Sequence, residues 1–203
     1  NDYNLKRLFR LIVRSRAYQL SSASNKTNRA DRLNSSHALS RPLDAEILLD
    51  AICDVTGVPE VYDNWLHKKQ GKGMAPRGSR AVQLKETDLY YSSFLDIYGR
   101  PNRFSVPERE GKVNLSQALH LLVGSSYNEK LWAEGGRIFE MFRQGASSEE
   151  IIHYLYLAAF SRFPTSGELE GLEKLIVQTP SREQALRDLQ WAILSSREFA
   201  ENH

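Results

Sequence analysis

Leu5, Leu8, Phe9, Ile12 and Val13 recur at helical spacing, so residues 3–20 read as a helix with one apolar stripe. Lys6, Arg7, Arg10 and Arg14 fall on or beside its other face. The run SSASNKTNRADRLNSS that follows is polar and rich in turn formers, which makes 21–43 an irregular connection. Such a length without regular structure implies either partial ordering against the body or real flexibility. Residues 44–56 carry the next stripe, formed by Leu48, Ala51, Ile52 and Val55. Asp44 is placed to cap this helix, Gly57 suits the left-handed position after it, and Pro59 stops its continuation.

Signals weaken across 58–113, which reads as irregular. Trp65 and the Tyr/Phe cluster at 90–98 supply apolar surface to dock part of it. Residues 87–98 have the pattern of a short helix, and 81–84 of a short extended piece, while Gly71, Gly73 and Gly78 oppose regular structure in 70–79. Periodicity returns at 115–123, where Asn114 can cap the helix, Leu115, Ala118, Leu119 and Leu122 face inward, and Gly124 ends it. Helices at 127–143, 149–160, 166–178 and 182–200 follow, with Gly135–Gly136 marking a kink or break in the first. Ser147 and Ser148 open one helix, and Thr165 with Glu168 and Ser181 with Gln184 have capping-box spacing. The pattern predicts an all-α fold, a single domain of about seven amphipathic helices with a long irregular central segment.

Composition narrows this reading only a little. A chain of 203 residues with 41% apolar and 26% charged residues is ordinary for a globular protein. At this length roughly 70% of the unfolded surface can be buried, so no disulfide or metal is needed to fold. The one cysteine, Cys53, cannot form an internal disulfide. No apolar run approaches the ~20 residues of a membrane span. The chain opens NDYNLKRL, straight into a helix pattern, as expected of a fragment cut from a longer protein. Net charge is +2 but uneven: residues 1–113 carry 19 Lys/Arg against 13 Asp/Glu, and residues 114–203 carry 8 against 12. Such asymmetry implies either an acidic partner for the first half or attraction between the halves. With no long basic block or basic–aromatic alternation, nucleic acid is not the expected partner.

Few residues offer chemistry. KKQGKGMAPRGSR has five basic residues (Lys68, Lys69, Lys72, Arg77, Arg80) and exposed backbone that could hold an anion, but it lacks phosphate-loop spacing and a preceding strand. The histidines His37, His67, His120, His153 and His203 are scattered, so no metal site is expected, and His120 among leucines reads as a packing residue. Cys53 lies mid-helix, where nothing activates a thiol. Glu46, Asp50 and Asp54 form a ladder at i, i+4, i+8 that could face the ladder Lys6, Arg10, Arg14. The remaining candidates cluster in GRPNR and PERE. Arg80, Arg100, Arg103, Glu108 and Arg109 are the candidate binding residues, because arginine suits bidentate capture of carboxylate or phosphate. The same groups could instead clasp the loop through internal ion pairs.

Segments LKRLFRLIVRSRAYQLSS, RPLDAEILLDAICDVTGVPE, GSRAVQL, YGRPNR, LSQALHLLVG, YLAAFSRFPTSGEL and WAILSSREFAENH occur in this order. Together, from about Leu5 to His203, they make the chain resemble the planctomycete-specific PSD-type domain of unknown function, the C-terminal domain of large cytochrome-associated proteins. The resemblance implies an extracytoplasmic setting, with a signal peptide and often a haem-binding cytochrome c-like domain upstream. No haem is expected in this segment, which has no C-x-x-C-H. Many members place a Cys-x-Cys pair before the Glu-Arg of the central loop; here PNRFSVPERE has none, and only Glu108 and Arg109 carry over.

The expected function is a non-catalytic helical module of a large extracytoplasmic protein. It would pack against upstream domains of the same polypeptide or bind an anionic or carbohydrate ligand. The alternative is a polysaccharide-directed enzyme domain with Glu108 or Asp88 as acid/base, which needs two carboxylates across a cleft.

Overall fold

A computed structural model describes residues 3–62, 75–84, 89–101, 117, 119–120 and 124–202. The fold is mainly all-α. It divides into two compact units, Asn1–Pro42 with Glu201–His203, and Leu43–Ala200.

The first unit contains α1 (Leu5–Val13), capped by Asn4, whose side chain accepts the Arg7 N–H at 3.0 Å. The helix is shorter than the 3–20 stripe predicts. Beyond Val13, polar side chains compete for the backbone: Ser15 Oγ accepts the Tyr18 N–H at 3.2 Å and Gln19 Nε2 donates to the Val13 carbonyl at 3.0 Å. The polar 21–43 stretch is ordered by the same kind of bond. Asn25 Oδ1 accepts the Thr27 and Asn28 N–H groups at 2.9 and 3.0 Å. Strand β1 (Arg41–Pro42) pairs antiparallel with β2 (Glu201–Asn202), Arg41 opposite Asn202. Two residues each are too few for hydrophobic alternation to announce them.

The second unit holds α2 (Ala45–Thr56), α3 (Ser93–Ile97), α4 (Ser125–Leu131), α5 (Arg137–Arg143), α6 (Ser148–Phe160), α7 (Ser166–Gln178), α8 (Arg182–Leu194) and α9 (Arg197–Ala200). Helix α6 is central, packing against α2, α5, α7, α8 and α9. Its Ile151, Ile152 and Leu155 are fully buried. Helix α2 contributes Leu48, Leu49, Ile52 and Val55 to the same core. Asp44 sits at the N-cap of α2, but its side chain makes no capping hydrogen bond, contrary to the sequence expectation. Gly57 ends the helix at φ 71°, the left-handed conformation that glycine adopts without a Cβ clash.

Several predicted helices are cut short for local reasons. The 127–143 pattern divides at Gly135 (φ 80°), after which the backbone is extended at Gly136, so α4 and α5 are separate. The 182–200 pattern divides at Ser195–Ser196. There the backbone tightens into a Ser196 N–H to Ile193 bond, and Ser196 Oγ accepts the Phe199 N–H at 3.2 Å to start α9. Of the described part of 87–98, Ser93–Ile97 forms the α-helix, begun by Ser92 accepting the Leu95 N–H. The extended piece predicted at 81–84 is a 3₁₀ turn, Ala81–Gln83. Of 115–123, residues 117, 119 and 120 are described and helical.

At the far end of the core, Arg162 holds three helices. Its guanidinium bonds Glu168 of α7 at 2.9 and 3.0 Å and Glu198 of α9 at 2.8 and 3.2 Å, and it lies 5.2 Å from the Tyr156 ring of α6. Glu168 also closes the capping box with Thr165. Hydrogen bonds from Arg162, then from Thr165, lower the Glu168 pKa from 4.5 to about 2. The depressed carboxyl therefore adds stability above pH 4.5 that is lost as pH falls toward 2. Solvent screening limits the contribution to the order of 1 kcal/mol. Glu168→Gln is expected to flatten the acid limb of melting temperature against pH in that window. An unchanged acid limb would remove this clasp as a stabilising element.

Candidate functional site

The outer face of α2 brings Asp50 and Asp54 together, one helical turn apart. Arg80 forks onto Asp54, with bonds of 3.2 and 2.7 Å, and its Nε lies 3.5 Å from Asp50 Oδ2. Asp50 is only 4% exposed and accepts the Ala81 N–H at 2.7 Å and the Val82 N–H at 3.4 Å. Asp50 and Asp54, two of the three acids in the α2 ladder, are thus engaged by residues 80–82. These bonds raise the Arg80 pKa, chiefly through Asp54.

Beside this strap lies a cavity of about 270 Å³, lined by Asp50, Cys53, Asp54, Glu60, Ser79 and Arg80 among others. Lys130, buried at 6% exposure, reaches the carbonyls of Val58 and Pro59 at 3.4 and 3.3 Å and Glu60 Oε2 at 3.5 Å. Each carboxylate of the cavity is therefore in an ion pair. Burial pushes the Cys53 thiol up to about 11, with Lys130 opposing and Glu60 adding. It stays protonated at neutral pH and is a poor nucleophile. The Glu60–Lys130 pair has no sequence signal, because 70 residues separate groups that only the tertiary fold joins.

Arg100 is placed differently. Its side chain is 7% exposed, its Nε donates to Asp96 at 2.8 Å, and its Nη1 donates to the Tyr90 carbonyl at 2.8 Å. It ties the end of α3 to the segment before it. Next to it Phe94 and Tyr98 stack at 4.2 Å, with buried His120 edge-on to Phe94 at 5.4 Å. Burial lowers the His120 pKa. Arg80 and Arg100 are thus each bound to an acid of their own unit. Arg103, Glu108, Arg109 and Asp88 lie outside the described residues, as do Lys68, Lys69 and Lys72.

The apolar stripe of α1 is left uncovered. The helix has no buried residue; Leu5, Phe9 and Leu8 are 65%, 63% and 51% exposed. Among the described residues, no helix is long and apolar enough to cross a membrane, and no three His, Cys, Asp or Glu side chains are grouped to hold a metal.

No curated protein and no solved structure matches the chain. Residues 1–176 match the family PSD1, described as a protein of unknown function (DUF1553). Since this match takes in α1, the α2–Arg80 strap, the Arg100 clasp and the central helix α6, the chain belongs to the PSD1 (DUF1553) family.

Proposed function

We propose that this domain is a non-catalytic interaction module of a large extracytoplasmic, cytochrome-associated planctomycete protein. In this reading haem belongs to an upstream domain, and α1 docks onto a neighbouring domain of the same polypeptide. The exposed apolar side of α1 carries the proposal, because contiguous apolar surface of that kind marks an interaction site. Residues 3–20 contain five basic side chains and no acid, so the complementary surface is an apolar groove with an acidic rim. The rival enzyme reading needs two free carboxylates across a cleft. In the cavity beside α2, Asp50 and Asp54 are held by Arg80, and Glu60 by Lys130.

The test adds the remaining domains of the full-length polypeptide in trans and follows amide exchange at residues 5–13. Protection of those amides, abolished by a Leu8→Glu, Phe9→Glu double substitution, is the expected result. No protection by the upstream domains, or protection only by anionic lipid vesicles, would overturn the docking assignment.

A further inference from the structure

The irregular stretch after α1, read from sequence as a connection, encloses a second cavity of about 300 Å³. Its lining includes Asp31, Arg32, Ser35, His37, Arg41 and Asn202, all of the first unit. That volume lies at the lower edge of the range of small-ligand sites. We propose that it binds an oxyanion, the phosphate, sulfate or carboxylate group of a small ligand.

The wall is built before any ligand arrives. Asp31 Oδ1 accepts the N–H groups of Leu33 and Asn34 at 3.0 and 2.8 Å and the Asn34 side-chain amide at 3.1 Å, while Oδ2 accepts the Ser36 N–H at 3.2 Å. Ser35 takes φ 53°, which turns the chain so that Ser36 can point back at Asp31. Asn28 Nδ2 holds the Ser36 carbonyl at 3.2 Å, and the Ala38 N–H donates to Ser21 at 3.0 Å. The Asp31 charge is committed to its own loop: hydrogen bonds from the Ser36 side chain, then from the Asn34 and Leu33 amides, keep its pKa well below the usual carboxylate range. Arg41 is fixed from the other side by its strand pairing with Asn202, whose Oδ1 accepts the Arg41 N–H at 3.1 Å.

Two arginines and a histidine therefore line one cavity. Neither the Arg32 nor the Arg41 guanidinium has an ion-pair partner among the described residues, and both side chains are exposed. His37 Nδ1 is out of contact with solvent and has no hydrogen-bond partner among the described residues. Arginine adds the planar fork that suits phosphate, sulfate and carboxylate alike. The sequence signal was in plain view in NRADRLNSSHALSR, but turn-forming residues disguise a built loop as a linker.

Calorimetric or NMR titration of the chain with inorganic phosphate, sulfate and glucuronate tests this, and selectivity among the three identifies the kind of ligand. Saturable binding of at least one is expected, weakened about ten-fold or more by Arg32→Gln and by Arg41→Gln. His37→Ala should weaken it as well. Arg29→Gln is the control, an exposed arginine of the same unit that does not line the cavity. Absence of saturable binding by all three anions would overturn the proposal. So would an Arg29→Gln effect equal to those of Arg32→Gln and Arg41→Gln, because that marks general surface charge.

Discussion

Leu155→Ala is expected to lower the unfolding free energy of the helical unit by about 2–5 kcal/mol. Leu155 has 0% exposure and sits on the inward face of α6, the helix that meets α2, α5, α7, α8 and α9. Truncation there loses the transfer free energy of the removed atoms and leaves a cavity that five surrounding helices cannot collapse without shifting together. Leu157, two residues on in the same helix, is 43% exposed. Leu157→Ala should cost well under about 1 kcal/mol, as surface substitutions do. Urea denaturation of both variants, with an unchanged slope against denaturant, measures the difference. Equal losses would mean that α6 does not present this face to the core.

The contrast between Leu155 and Leu157 also shows what could be read from the chain. Helical periodicity locates α6, α7 and α8 because each turns one apolar stripe toward the core, and capping residues such as Thr165 and Glu168 mark where a helix begins. The same rule overextends α1 and α8, since it sees side-chain spacing and not the serines whose hydroxyls take over backbone bonds at Ser15 and Ser196. It finds the apolar stripe of α1 but not its exposure, because amphipathicity reports that a face is apolar and not what covers it.

The candidate residues divide along a similar line. Arg100 was legible as a clasp or ligand group from its residue type in GRPNR, while its partner Asp96, four residues before it, was not singled out. Arg80 was legible as a cation but not as the partner of α2, since 26 residues separate it from Asp54. The buried pairing of Lys130 with Glu60 and the oxyanion donors around His37 are products of chain return, for which a single sequence carries no period. Turn-rich composition in 21–43 indicated an irregular connection but not its internal order: the same Asn, Asp and Ser residues make the loop's hydrogen bonds.

The strap on α2 gives the second large effect. Asp50→Ala is expected to destabilise the helical unit by about 2–3 kcal/mol, because hydrogen bonds to a charged acceptor are lost and a buried donor is stranded. Ala81 is 1% exposed, so its N–H has no route to water once the Asp50 oxygen at 2.7 Å is gone. Arg80 loses the more distant of its two acids, 3.5 Å away, but keeps its fork on Asp54. Asp54→Ala removes that fork instead, yet the Asp54 side chain is 61% exposed, which holds the cost below about 1 kcal/mol. Asp50→Asn separates charge from geometry, as its amide oxygen can still accept the Ala81 N–H. The expected order of stability is therefore wild type, then Asp54→Ala, then Asp50→Asn, with Asp50→Ala the weakest. Amide exchange at Ala81 should accelerate most in Asp50→Ala, since that hydrogen bond is what closes the 3₁₀ turn onto the helix. If Asp50→Ala and Asp54→Ala prove equally mild, the pairing with Arg80 is a surface contact and α2 does not depend on the strap.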